Sequence, residues 1–441
     1  MIEISSYKNK NVGILGAGLS GLAAAKILLN SRANIYIFDD KKNKPSIIKK
    51  NNWSNYKFWP WESLTTLVVS PGIPISATNQ HDAIKLAIKN NVKIINEIDL
   101  FVETKPKARI IGITGTNGKS TTVALLFHIL KFNKINCVIG GNFGFPACEI
   151  KDPGKSGIII LELSSYQLDG AKNLSLEIAS ITNITPDHLD YHETFHKYKL
   201  CKLKIIKFLK SNGTFILNVN DKFLSGIIDS KIFKSINIIK VKNNEVGNYI
   251  NNNDYLQGSH NNINGSIVIS ISKHLNITDE QIKYAIKHFK GLPHRMEPLH
   301  ISNKLKIIND SKSTNGESTA AALQSFENIF WIVGGQPKLG GIGESKNFLD
   351  RVSEVFLIGK STCFFIKEIS KFRQDLPLHN CLTLEKATKL ALKKSLKSNL
   401  KDYVILFSPS AASFDQFKNF EDRGNKFRAI VNQQLNQGLK K

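Results

Sequence analysis

Along the chain, short apolar runs alternate with longer stretches whose apolar positions recur at helical spacing. Residues 1 to about 106 carry the runs "VGIL", "NIYIFDD", "TTLVVSPG" and "VKIINEI". The polar segment "TKPKAR", with Pro106, reads as a linker. A second block extends to about residue 291, with "GIIILELSS", "IASITNI" and "GTFILNVND" as strands. From residue 292 to 441, "LKIIND", "IFWIVGG", "VSEVFLIG" and "DYVILFSPS" repeat the pattern. Near-continuous apolar runs suit parallel strands covered on both faces. The chain is therefore expected to be α/β, with three domains in series: 1–106, 107–291 and 292–441. The Asn-rich stretch "KVKNNEVGNYINNND" reads as an exposed loop or irregular region, and no internal repeat stands out.

Composition changes this picture little. The chain has 441 residues, 41% of them hydrophobic and 22% charged, an ordinary balance for a globular protein. No apolar run approaches the roughly eighteen residues of a membrane-spanning helix. The N-terminal apolar run is broken by glycines and Lys26, so it is read as a strand and a helix rather than a signal peptide. Five cysteines, with no C-x-x-C pair, argue for a reduced cytoplasmic setting and against a zinc site or disulfide framework. The net charge of +24 comes from lysines spread over the whole chain. Basic stretches such as "DDKKNKPSIIKKNN" lack interleaved aromatics, so no nucleic-acid partner and no membrane partner is expected.

Candidate chemistry begins at "GAGLSG", Gly16 to Gly21, which follows a strand and opens a helix. This is the G-x-G-x-x-G turn that holds a diphosphate at a helix N-terminus, and Asp39-Asp40 ends the next strand where a ribose-binding carboxylate would sit. Taken alone, it suggests a nicotinamide-dependent dehydrogenase. A second turn, "GITGTNGKSTT", lies between an apolar strand and an amphipathic helix. Gly115, Thr116, Asn117, Gly118, Lys119, Ser120 and Thr121 form a phosphate loop there, although Ile113 stands where the strict motif has its first glycine. Lys119 offers a point charge to phosphate oxygens, and the Ser120 hydroxyl a ligand to Mg²⁺. The first and last domains are thus expected to be Rossmann-like and the central one a P-loop ATPase-like parallel sheet.

A nucleotide triphosphate site needs help for its metal. Glu162 ends the strand "IIILE", and Asp187, His188 and Asp190 follow the strand of "ITNITPDHLD". In the helix "HKYKLCKLKIIKFLK", Tyr198, Cys201, Ile205, Phe208 and Leu209 form an apolar stripe. Lys199, Lys204, Lys207 and Lys210 fall elsewhere, but Lys202 lies along the stripe. Two readings stay open: its ammonium snorkels to water past apolar neighbours, or it is buried and loses its proton readily. An uncharged amine could react with CO₂ to give a carbamate, an anionic oxygen ligand.

Together, "GTNGKSTT", "ELSSYQL", "NITPDHLDYH", "YKLCKLKI", "HNNIN", "GLPHR", "NDSKSTN", "VGG" and "SPSAASFDQFKNFEDRG" resemble the Mur ligase family, in order along all three domains. These are ATP-dependent amide synthetases of peptidoglycan assembly. "NDSKSTN" with "SPSAASFDQF" is similar to the members that add D-glutamate to UDP-N-acetylmuramoyl-L-alanine through an acyl phosphate. The resemblance implies ATP, two Mg²⁺ ions and a carbamylated Lys202. It puts Glu162 near the first metal, and His188 and Lys202 at the second, so that Ser120, Glu162, His188 and Lys202 are the metal set. It puts Asn264, Arg295 and Asp310 around ATP, and Lys312, Thr314, Ser413 and Phe420 around D-glutamate, with Lys338 nearby. Asn142 matches a muramoyl contact, and the "GAGLSG" turn a uridine diphosphate site with Gly18, Leu19, Ser20, Asp39, Ser70, Pro71 and Gly72. The implied catalytic set is Lys119, Glu162, His188 and Lys202, in a cytoplasmic monomer acting on small molecules. Asp40-Lys41 departs from the expected Thr-Arg, and Tyr191 stands where an Arg often follows "DHLD". Rival readings are a folylpolyglutamate synthase relative and an ATP-binding protein without ligase chemistry.

Overall fold

The computed structural model describes residues 2–41, 44–46, 48–75, 80–226, 236–250, 253–256, 258–337, 341–398 and 400–438. The chain divides into two compact units: residues 1–245 with 263–285, and residues 246–262 with 286–441. Among the described residues the strands form three sheets, two in the first unit and one in the second.

The first sheet contains β1 (Asn11–Leu15), β2 (Asn34–Phe38), β3 (Leu64–Val69) and β4 (Lys93–Asn96), all parallel, in the order β2-β1-β3-β4. The chain leaves β1 toward β2 and returns on its other side, so the carboxyl ends of β1 and β3 flank the crevice where α/β sheets bind ligands. The second sheet has β5 (Arg109–Thr114), β6 (Cys137–Gly141), β7 (Ile158–Glu162), β8 (Leu176–Ile181), β9 (Leu209–Asn218) and β10 (Asn237–Val241). It is parallel throughout, in the order β10-β9-β8-β5-β7-β6. Every residue of β7 is buried, as its unbroken apolar run requires.

Within this unit the two sheets are tied through the helix Glu97–Val102. Asn96 caps it by accepting from the Ile98 and Asp99 amides, and its side-chain nitrogen donates to the Gln167 carbonyl at 2.7 Å. Asp99 accepts from the Lys172 and Asn173 amides at 2.8 and 3.0 Å. The "TKPKAR" linker is itself pinned, since the Lys107 and Ala108 amides donate to Asp152.

The second unit contains β11 (Glu297–Ile301), β12 (Leu305–Asn309), β13 (Ile329–Gly334), β14 (Val352–Ile358), β15 (Leu378–Leu382) and β16 (Tyr403–Phe407). Their order is β11-β12-β16-β13-β14-β15. The sequence pattern foresaw parallel strands here, but β11 is antiparallel to β12; a short turn at Ser302 joins them and leaves no room for a crossover. Two other expectations need correction. Phe208, Leu209 and Lys210 lie beyond the helix Phe195–Lys207, because β9 starts at Leu209. The Asn-rich stretch is irregular but not exposed throughout: Val241, Val246, Ile250 and Asn253 are buried.

Candidate active site

At the carboxyl end of β1, Gly16 adopts φ +94°, and a Cβ on Gly21 would stand 2.0 Å from the Gly16 carbonyl oxygen. Only glycines allow the helix Leu19–Asn30 to rest directly on this turn. Asp39 braces the turn: one carboxylate oxygen accepts from the Ala17 amide at 2.7 Å, the other from the Lys41 amide at 2.9 Å. The Ser70 hydroxyl donates to the Gly16 carbonyl at 3.0 Å. A cavity of about 510 Å³ opens here, lined by Gly18, Leu19, Ser20, Asp39, Ser70, Pro71, Gly72 and Asn142. Tyr166 and Gln167, which sequence reasoning did not single out, also line it. Asp40, one of the departures, pairs with His81 at 3.0 Å.

The phosphate loop follows β5. Gly115 has φ +147° and would place a Cβ 1.9 Å from the Thr182 hydroxyl; Gly118 has φ +84° and would place one 2.3 Å from Asn264 Oδ1. Asn264 therefore sits behind the loop, where it also accepts from the Thr122 hydroxyl at 3.2 Å. Two of the loop amides are committed within the protein. Those of Thr116 and Asn117 donate to the backbone and side-chain oxygens of Asn183, at 2.9 and 3.0 Å. The anion-attracting end is left to the first turn of the helix Lys119–Phe132, whose N-cap Gly118 supplies no side-chain cap.

Around this loop the charged residues converge. Glu162, buried at the end of β7, accepts from the Ser120 hydroxyl at 2.5 Å and from the Asn142 side-chain amide at 2.6 Å. Lys119 Nζ donates to the Gly115 and Thr116 carbonyls, both at 2.8 Å. Lys202 Nζ donates to the same Gly115 carbonyl at 2.6 Å and lies 4.7 Å from the centre of the Tyr198 ring. The snorkelling reading fails: Lys202 is 1% exposed. Its burial, reinforced by the neighbouring Lys119 charge, holds its pKa well below the usual lysine range. His188, at φ +53°, shares a 2.6 Å hydrogen bond with the Tyr166 hydroxyl, and Asp187 lies 3.5 Å from its other ring nitrogen. Tyr191 donates to Asp169 at 3.3 Å.

In the second unit the candidate residues follow β12 and β16. Asp310 is buried, accepting from the Met296 amide at 3.2 Å and the Ser408 hydroxyl at 3.0 Å, and burial pushes its carboxyl up to about 7. Lys312 Nζ lies 3.7 Å from the centre of the Phe420 ring. Thr314 is half-buried and Ser413 buried, with the Ser413 carbonyl accepting from the Gln416 and Phe417 amides. The Arg295 amide donates to Leu292, and its charge opposes the rise at Asp310. Lys338 lies outside the described residues.

Comparison with known proteins bears on this arrangement. Residues 113–284 match the Mur ligase middle domain. UDP-N-acetylmuramoylalanine–D-glutamate ligase of Rickettsia felis is 34% identical over 449 residues, covering 97% of this chain and 98% of the relative. The enzyme of the same name from Brucella abortus is 34% identical over 464 residues, covering 98% and 97%. The chain belongs to the Mur ligase family, on the branch of the D-glutamate ligases. The Mur ligase fold itself is shared with the Thermotoga maritima MurF ligase in complex with ADP, at 16% identity and TM-score 0.59 over 98% of this chain and 97% of that one. UDP-N-acetylmuramate–alanine ligase from the same organism gives 16% and 0.57, over 96% and 99%.

Sequence reasoning passed over a buried carboxylate that opens the helix Glu97–Val102 and is hydrogen-bonded by the Ser20 side chain. Glu97 is buried and accepts from the Cys148 amide at 3.0 Å; burial pushes its carboxyl from 4.5 up to about 7. Between those values the folded chain keeps a proton that the unfolded chain releases, so this group's stabilising contribution is full below the lower value and lost as pH rises through the upper. Glu97→Gln, which mimics the protonated form, should therefore gain on the wild type between about pH 5 and pH 8, by on the order of 1–3 kcal/mol. Melting temperatures of the two proteins across that range check it; a pH-independent difference would refute it. Among the described residues no helix is long and apolar enough to cross a membrane.

Proposed function

We propose that this protein joins D-glutamate to UDP-N-acetylmuramoyl-L-alanine using ATP, in the cytoplasm and as a monomer. The observation that carries the reading is the position of Glu162. One of its oxygens holds Ser120 of the phosphate loop, and the other holds Asn142 of the cavity wall. The triphosphate end and the acyl end of the reaction thus meet across a single carboxylate. We assign substrate binding to 1–106, ATP to 107–291 and the amino acid to 292–441.

The L-alanyl carboxylate attacks the γ-phosphorus, giving an acyl phosphate and ADP. The D-glutamate amine then attacks that carbonyl, and the tetrahedral intermediate expels phosphate. Crowding two anions is the main barrier in the first step, and positioned positive charge is the remedy. Lys119 supplies it beside the loop residues Gly115–Thr121, with Asn264 supporting the loop and Arg295 and Asp310 on the nucleotide. The diphosphate lies on the helix N-terminus at Gly18, Leu19 and Ser20, with Asp39 and Ser70–Gly72 around it. Lys312, Thr314, Lys338, Ser413 and Phe420 hold D-glutamate.

Ser120 and Glu162 are hard oxygen donors 2.5 Å apart, a set that suits Mg²⁺. The metal would neutralise phosphate charge when bound. Among the described residues no three His, Cys, Asp or Glu side chains gather into a metal cluster. A second metal site at His188 accordingly rests on carbamylation of Lys202, which turns a buried amine into an oxygen donor.

Phosphate release from ATP and Mg²⁺ with UDP-N-acetylmuramoyl-L-alanine, offering amino acids singly, tests the proposal. Release should require D-glutamate and not occur with L-glutamate, L-lysine or meso-diaminopimelate. Release with another amino acid overturns the specificity; release with none overturns the activity.

A further inference from the structure

Arg423, in the first turns of the helix Phe420–Gly438, is among the largest fully buried side chains of the second unit. Its Nε donates to the Ser311 hydroxyl at 3.1 Å, and its Nη2 donates to the Ser311 carbonyl at 2.8 Å and the Ala411 carbonyl at 3.0 Å. The Ser311 hydroxyl donates onward to the Phe420 carbonyl at 2.9 Å. Nη1 is buried without a hydrogen bond and stands 3.2 Å from where a Gly335 side chain would begin. Gly335 has φ +134°, so the loop after β13 passes close to the guanidinium.

A buried cation is costly unless it is paired. Here the fork is held chiefly by carbonyl and hydroxyl oxygens, while Asp310 and Asp415 act on it electrostatically. Those oxygens belong to two segments: Asp310–Thr314 after β12 and Ser408–Ser413 after β16. The same two segments carry Lys312, Thr314 and Ser413. A planar fork can bridge both at fixed spacing, whereas a lysine ammonium is a point donor on a flexible stem. The buried cost is thus spent where a fixed distance between these loops matters.

We infer that Arg423 is a positioning residue for amino-acid selection: it sets the spacing of the loops that bear Lys312, Thr314 and Ser413, without touching the amino acid. The inference rests on the D-glutamate reading above. Arg423→Lys should raise the D-glutamate KM about tenfold or more, with the KM values for ATP and UDP-N-acetylmuramoyl-L-alanine within about twofold of wild type. Ser311→Ala, which leaves the two carbonyl bonds in place, should move the D-glutamate KM the same way by a smaller factor and serves if Arg423→Lys does not fold. An unchanged D-glutamate KM in a folded variant overturns the inference, as does an equal rise in all three KM values, the mark of general loosening. Wild-type protein assayed alongside separates the two claims, because absence of D-glutamate-dependent release there overturns the functional reading itself.

Discussion

Replacing Lys202 with methionine lowers phosphate release by at least about a thousandfold, a loss of roughly 4 kcal/mol of transition-state stabilisation, while the protein stays folded. Methionine keeps an unbranched apolar stem in a pocket where Lys202 is 1% exposed, so packing changes little. What disappears is the amine. In the structure it donates to the Gly115 carbonyl at 2.6 Å, the acceptor that Lys119 also uses. Burial disfavours the charged amine, and the Lys119 ammonium on the same oxygen adds repulsion, so the Lys202 nitrogen favours the uncharged form. An uncharged amine attacks CO₂, and loss of the N–H proton to solvent leaves a carbamate of charge −1. Beside Lys119 that product would make an opposite-charge contact. Carbon-13-labelled bicarbonate should give a carbamate resonance in the wild type and none in Lys202→Met. A variant keeping more than about a tenth of the wild-type rate would exclude an essential role for this side chain.

The fate of Lys202 shows where sequence reasoning reaches its limit. Periodicity identified the face it occupies, but whether that face is sealed at its end depends on the Gly115 turn, 87 positions away in the chain. The same holds for the loop amides: Asn183, which takes those of Thr116 and Asn117, lies 66 residues downstream of Asn117, and the motif it opens does not tell that its oxygens turn to the loop. By contrast, the glycines were legible because backbone geometry excludes every other residue. At Gly115 a Cβ would meet Thr182 at 1.9 Å, and at Gly21 one would meet a carbonyl at 2.0 Å. Central strands such as β7 and β16, buried at every position, announced themselves by unbroken apolar runs. Edge strands β10 and β15 hold one buried position each and β11 none, so they lack an apolar run and were missed. Arg423 was hidden for a related reason: within the polar "NFEDRG" nothing distinguishes a solvated arginine from a buried one.

Lys119→Met should reduce kcat/KM for ATP by at least about a thousandfold while leaving binding of the uridine nucleotide within about twofold. The two effects separate because the residue belongs to only one of the two helix N-termini. Lys119 opens the helix Lys119–Phe132, and its ammonium spans the Gly115 and Thr116 carbonyls at 2.8 Å. Those contacts hold the charge over the turn, ready to exchange carbonyl oxygens for more strongly accepting phosphate oxygens. The amides of Thr116 and Asn117 cannot compensate, since they are committed to Asn183. Without the lysine, the first turn of the helix is left with only its partial positive charge, about half an elementary unit, to meet the triphosphate. The turn at Gly16–Gly21 has its own bracing, from Asp39 and Ser70, and uses no part of Lys119. Steady-state kinetics read the loss in kcat/KM, and calorimetric titration with ATP and with UDP, on wild type and variant, reads the binding of each. Equal weakening of the two ligands would mean that Lys119 supports the fold of the first unit rather than a triphosphate, and ATP binding that survives its loss would remove the phosphate loop from the proposed chemistry.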